Sequence, residues 1–404
     1  MVSLLTKSFP LSSGPHSYLI KNANLIDVNN GSLVQGVSLH IQDGRIAKIY
    51  TGPEIPAMVD TFDATGLFLM PGLIDMHVHL VWDGSPDPLG AMKAEGPNIA
   101  MARGIANARK SLAQGVTTIR DVGSVDDVGI DIAKVFASGL LFGPTVVAAG
   151  RIIQPTGGHV PDLGYIADSH DELVKAVRYL KMRGASVIKV ASTGGAYGPE
   201  EIGPSVYPQK DLEIVVNEAH RLGLRVASHS LGKIGIENAV RAGINTIEHG
   251  ADISMEILRE MKQKETCLIP TLAVYKKLSE SSGVIPELYV VKSKTVVGWH
   301  KETFRNAMDI GSPIALGTDA GSPNFGPHPS VFLEMVTMVE YGMKPSDVLK
   351  AATKTAAEAL GREHEIGTIE TGKKADILLL KENPLEDITK MQNICQVIKS
   401  GIML

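Results

Sequence analysis

The sequence predicts an α/β protein, a (β/α)8 TIM barrel with a small β-sandwich domain formed by both chain ends. Three observations lead there. Eight short apolar runs alternate with helix-patterned stretches across residues 71–364, turn-punctuated β texture fills residues 1–70, and β texture returns over 365–404. Apolar strands alternating with helices imply a parallel sheet buried on both faces, and eight repeats suit a barrel. At 404 residues and 44% hydrophobic content, the chain is long enough for one large domain with a smaller one attached.

The elements follow in chain order. "YLIKNANLIDVNNG", "SLVQGVSLHIQDGRIAKIYTG" and "VDTFDATGLFLMPG" read as short strands. Asn30-Gly31 and Asp43-Gly44 mark hairpin turns, because both residue types tolerate positive φ. "MPGLIDMHVHL" (70–80) opens the barrel, and "VTTIRDVG" (116–123), "TVVAAG" (145–150), "SVIKVAST" (186–193), "RVASHS" (225–230), "TIEHG" (246–250), "CLIPTLA" (267–273) and "PIALGTDAG" (313–321) follow as further strands. Between them "NIAMARGIANARKSLAQG", "DELVKAVRYLKMRG", "KDLEIVVNEAHRLG" and "SMEILREMKQK" carry helical periodicity, most of them ending in Gly. One further helix is expected over "KPSDVLKAATKTAAEALG", after which "IGTIETGKKADILLLKENP" and "CQVIKSGI" should pair with the first 70 residues.

Composition excludes several classes of partner. Net charge is only −5, with no run of Lys or Arg, so nucleic acid is not an expected ligand. The opening "MVSLLTKSFPLSSGPHSYL" has one lysine after a short apolar run, too little for a secretory signal or a membrane span, which leaves a cytoplasmic protein as the expectation. Cys267 and Cys395 lie far apart in no zinc or redox spacing and read as ordinary buried free thiols.

Polar residues at the strand ends form a pattern that core packing does not produce. His77 and His79 close the first barrel strand, where a spacing of two sends both side chains to one side. Lys189 interrupts the apolar run of the fourth, His229 and His249 end the fifth and sixth, and Asp319 ends the eighth. Taken singly, each has an ordinary reading: a strand-end His as a rim residue, Asp319 as a turn residue or helix cap. A buried unpaired lysine is harder to explain, since its ammonium loses several kcal/mol of hydration. In a barrel the C-terminal strand ends converge on one mouth, so six potential ligands arrive together and point to a metal site.

In this order, "PGLIDMHVHL", the strand lysine, "SHS", "EHG", "GTDAG" and the tail "IGTIETGKKADILLL" resemble the amidohydrolase superfamily. The strand lysine narrows the resemblance to the binuclear, imidazolonepropionase-related branch that includes Xaa-Pro dipeptidases (prolidases), arginine/lysine carboxypeptidases and ochratoxinase-type amidohydrolases. The resemblance implies two divalent metal ions, zinc foremost, with manganese, cobalt or iron as options. His77, His79 and Asp319 would hold the more buried ion and His229 and His249 the more exposed one, with Lys189, carboxylated by CO2, bridging them. A carbamate turns a cation into an anionic oxygen ligand, which also answers the burial problem. The resembling enzymes are often symmetric homo-oligomers.

A bridging water acidified by two metals would supply hydroxide for attack on a substrate carbonyl. Asp319 is expected to take its proton and return it to the departing amine. His159, in "QPTGGH", is expected to donate to the oxyanion, as a histidine in a similar Gly-Gly-His stretch is thought to do in the dipeptidases. The expected substrate is a small molecule, a dipeptide or N-acyl amino acid, with Arg151 as anchor for its carboxylate unless that guanidinium pairs with a neighbouring loop acid. Tyr197, Tyr275 and His328 are candidate pocket residues, the tyrosines with simple packing as the alternative. The other histidines are expected mostly at the surface, away from strand ends.

Three alternatives stand beside this reading. A mononuclear deaminase is disfavoured because "SHSLGKIG" has no nearby Glu and Lys189 is present; the lysine likewise disfavours imidazolonepropionase. Lactonase, esterase or phosphotriesterase chemistry could run on the same binuclear centre. A non-catalytic scaffold of this fold would be expected to have lost ligands, and all six are present.

Overall fold

The computed structural model describes residues 17–404 apart from 53–54 and 58–59, so the opening segment and His16 lie outside the described residues. The β texture at the two ends is one eight-stranded sheet. In it Ile402–Met403, Ile394–Lys399, Ile377–Leu380, Phe68–Pro71, Ser17–Asp27, Ser32–Gln42 and Arg45–Tyr50 lie in that order, with Thr61–Asp63 beside Ser17–Asp27. Gln42 pairs with Arg45, leaving Asp43-Gly44 as the expected two-residue turn. The sheet's inward residues, among them Ile20, Leu39, Ile41, Leu69, Ile377 and Ile398, form their own apolar cluster.

Parallel strands make up the middle of the chain. Leu73–Val78 pairs with Val116–Asp121, and that strand with Thr145–Ala148. Val187–Ala191, Arg225–Ser230, Thr246–His249 and Cys267–Ile269 pair successively in the same sense. The Ser186 N–H donates to Ala148 O at 3.0 Å between the two groups. Two short strands that the sequence did not suggest, Ile152–Gln154 and Gly164–Ile166, extend the second group beyond Val187–Ala191. These central strands are buried almost throughout, as expected where helices cover the outer faces.

Two expectations need correction. Residues 313–321, expected as a strand, form only isolated parallel bridges, Ile314 with Leu268 and Ala320 with Val78. The helix expected over 344–361 is two, Pro345–Ala351 and Lys354–Leu360. The break frees the Ala351 and Ala352 carbonyls, which accept from the N–H groups of Leu316 (3.1 Å) and Ile74 (2.8 Å). The interrupted helix thus bonds the 313–321 segment and the strand Leu73–Val78 in place of part of its own ladder.

The thiols are unpaired, but only Cys267 is buried; Cys395 points outward from Ile394–Lys399. No described helix is long and apolar enough to cross a membrane.

Candidate metal centre

Nine of the expected site residues line one buried cavity: His77, His79, Lys189, His229, His249, Asp319, His159, Tyr197 and Tyr275. Its apolar wall comes from Trp82, Ile152, Val160 and Leu163, none of which the sequence singled out. His249 and Asp319 have left-handed φ of +68° and +59°, uncommon for residues other than glycine. Held by their surroundings, such conformations cluster at functional sites. Around Asp319 the surroundings are explicit: its N–H donates to His77 O at 2.7 Å, and Thr318 is bonded through Oγ1 to the buried Asp75 at 2.7 Å.

The imidazoles form a continuous cluster. His77 and His249 have ring centroids 4.8 Å apart, His249 and His229 4.7 Å, and His229 stacks on His159 at 4.3 Å. Each of four rings has one nitrogen committed to the protein. Nδ1 of His77 faces Glu248 Oε2 (2.7 Å), Nδ1 of His79 faces Gly123 O (2.9 Å), Nδ1 of His249 faces Thr271 Oγ1 (2.7 Å), and Nε2 of His229 faces Gly194 O (3.1 Å). A carbonyl or carboxylate partner needs a proton on that nitrogen, which leaves the other with a lone pair.

Electrostatics keeps the rings neutral. Burial, reinforced by neighbouring cationic groups, holds His77, His229 and His249 well below the ordinary imidazole range, and burial takes His79 down to about 3. Burial also pushes Lys189 down to about 8 and Asp319 up to about 7. Lys189 is 1% exposed, and among the described residues neither its Nζ nor Asp319 Oδ1 has a hydrogen-bond partner. Ligand atoms of His77, His249 and Asp319 lie within 4.8 Å of one another. Neutral lone pairs, a carboxylate oxygen without a donor and a lysine without an acceptor together suit divalent cations.

Behind the cavity lies a charged brace that the sequence reading passed over. Arg120, 2% exposed, donates to Glu248 Oε1 at 2.7 Å and Oε2 at 2.9 Å, to Thr246 Oγ1 at 2.9 Å and to Met76 O at 2.6 Å. Glu248 is fully buried and bonds His77 on its other side. Both residues interrupt apolar strands, "TIRDVG" and "TIEHG", the same signal that singled out Lys189.

Arg151 and His328 do not reach the cavity. The Arg151 guanidinium bonds Asp127 at 3.2 Å and lies over the rings of Tyr165 and Tyr179, so the neighbouring acid takes the charge expected for a substrate carboxylate. His328 is buried beside Gly321 rather than lining the mouth. Of the other described histidines, His170, His220 and His364 are exposed, whereas His300 is buried, with Nε2 donating to His249 O at 3.0 Å and its ring against Tyr275.

A sequence profile of the amidohydrolase family matches residues 68–403. The ochratoxinase of Aspergillus niger is 30% identical, the match covering 94% of this chain and 85% of that protein. The imidazolonepropionase of Geobacillus sp. (strain WCH70) is 26% identical over 87% of this chain and 85% of its own. A crystal structure of a Xaa-Pro dipeptidase with methionine bound in its active site superimposes with a TM-score of 0.88 at 31% identity, covering 96% of this chain and 99% of that one.

Proposed function

The chain belongs to the amidohydrolase family, and from that premise we propose that it cleaves the amide or peptide bond of a dipeptide or N-acyl amino acid at a centre of two divalent ions. One observation carries the reading: five imidazoles, a carboxylate and a lysine whose Nζ has no hydrogen-bond partner among the described residues line a single buried cavity. His77, His79 and Asp319 would hold one ion, His229 and His249 the other, and a carboxylated Lys189 would join them. When bound, such a pair lowers the pKa of a shared water, so that hydroxide is available near neutral pH.

The chain's own groups do the rest. Asp319 takes the proton of the attacking water and delivers it to the leaving nitrogen, with Tyr197 holding its Oδ2 through a 3.0 Å hydrogen bond. His159 steadies the charge that develops on the carbonyl oxygen. Trp82, Ile152, Val160 and Leu163 suit an apolar group beside the scissile bond and keep water from it. A guanidinium anchor at Arg151 is not part of this reading, because Asp127 occupies it.

For the scaffold we propose a (β/α)8 barrel over residues 71–364, with 1–70 and 365–404 forming a small β-sandwich domain. The Ser186 to Ala148 bond and the bridges of 313–321 to Leu268 and Val78 support closure, and the shared eight-stranded sheet supports the pairing of the chain ends.

The test is a screen of metal-replete protein against dipeptides, N-acyl amino acids, lactones, esters and phosphotriesters, with metal content measured alongside. Amide hydrolysis with about two ions per chain is expected from a binuclear site. Exclusive ester, lactone or phosphotriester turnover, or protein that takes up no metal, would overturn the reading.

A further inference from the structure

Glu200 does not line the cavity, yet its Oε1 lies 2.6 Å from His159 Nδ1. It sits on the loop "STGGAYGPE" after the Val187–Ala191 strand, the loop that also carries Tyr197 to Asp319. The loop's glycines permit this fold. A Cβ on Gly195 would lie 2.1 Å from the His159 ring, and Gly198 has φ of +135° with the Glu200 carboxylate packed against it. From the helix Glu287–Ile310, Lys292 donates to the carbonyls of Gly198 (2.7 Å) and Glu200, and more distantly to that of Gly195. Three carbonyls on one ammonium fasten the loop against that helix. Burial alone would raise the Glu200 carboxyl, but bonds from His159 and the Gly195 N–H outweigh it and hold the group below its ordinary range.

We propose that Glu200 is a positioning residue for His159: its carboxylate accepts the Nδ1 proton, fixes the ring against His229 and turns Nε2 toward the cavity. With Nδ1–H committed in this way, Nε2 donates to an oxyanion only from the doubly protonated ring, and the Glu200 carboxylate is the charge that balances that form. The proposed catalytic part of this role rests on His159 assisting the hydrolysis; the pairing itself does not.

Two measurements separate these parts. In metal-free protein, the 15N imidazole spectrum, with His159 assigned by its loss in His159→Asn, is expected to show a proton on Nδ1. Glu200→Gln should keep that proton, because an amide oxygen still accepts, whereas Glu200→Ala should give mixed tautomers. In metal-replete enzyme both variants should lower kcat by roughly tenfold or more with KM little changed, and Glu200→Asp should restore part of the loss. The loop's backbone bonds to Lys292 do not use the carboxylate, so the variants are expected to fold. A wild-type proton on Nε2 alone, an unchanged spectrum in Glu200→Ala, or a kcat within about twofold of wild type in both variants would each overturn the proposal. If the wild-type enzyme hydrolyses no amide, the proposed function fails while the spectrum still decides the pairing.

Discussion

Glu248→Gln is the perturbation with the most to say about the site. The substitution keeps the shape of a fully buried side chain and removes its charge. Its carboxylate accepts from Arg120 on both oxygens and from His77 Nδ1, and an amide has a single acceptor oxygen. If the NH2 faces His77, two donors meet, and the ring must move its proton to Nε2 and lose the lone pair it offers the cavity. If the NH2 faces Arg120, two donors meet on that side instead, and in either orientation a guanidinium that is 2% exposed loses the counter-charge of Glu248. Breaking one partner out of a buried pair costs about 3–5 kcal/mol. Loss of a bond that orients a metal-bound histidine typically costs about 10- to 100-fold in metal affinity. Urea unfolding of metal-free protein reads the first effect, and titration against a competing chelator reads the second. The double variant Arg120→Met/Glu248→Leu separates them: removing both charges should recover much of the stability, because apolar replacement of a buried pair is often neutral, but not the affinity. Metal affinity within threefold of wild type in Glu248→Gln would refute the idea that this brace sets the His77 tautomer.

Further outcomes follow from the same geometry. Lys189→Ala should lower hydrolysis by roughly a hundredfold or more, and added formate or acetate should restore part of it by standing in for the carbamate oxygens; no rescue under metal-replete conditions would count against carboxylation. Tyr197→Phe removes a bond to a charged partner worth about 1.5–3 kcal/mol, so kcat should fall by roughly 10- to 100-fold in steady-state kinetics. His159→Ala should lower kcat while metal content by elemental analysis stays near wild type. Glu334 accepts from the N–H groups of Leu272 (2.8 Å) and Ala273 (2.7 Å) at the start of the helix Leu272–Ser279, and burial pushes it up to about 8. A folded pKa above the unfolded value favours the folded state at low pH, and that contribution is lost as pH rises through about 8. Glu334→Gln should flatten the decline in unfolding free energy between acid and neutral pH; an unchanged slope would contradict the assignment.

Most central strands and the polar residues that line the cavity were legible because their signals are local. A polar residue at the end of an apolar run is visible in one dimension, and so is a two-residue turn such as Asp43-Gly44. What escaped depends on contacts between distant segments. The interruption of residues 344–361 could not be seen without the Leu316 and Ile74 N–H groups that take its carbonyls. Arg151 reads the same in sequence whether it faces a substrate or Asp127, and only the fold decides between them. Glu200 is an ordinary loop acid until the chain brings it, 41 positions along, to His159. Arg120 and Glu248 are a different case, since the rule applied to Lys189 marks them too.

The sheet that joins the two ends of the chain has a consequence for biosynthesis. Phe68–Pro71 pairs with Ile377–Leu380, a strand made about 300 residues later, so at 5–20 residues per second roughly 15 to 60 seconds separate their appearance at the ribosome. For that interval the nascent N-terminal strands present an open edge of N–H and C=O groups to the crowded surroundings. Premature termination anywhere in the middle of the message therefore leaves this edge without its cover, and such fragments should be held by chaperones or degraded rather than accumulate.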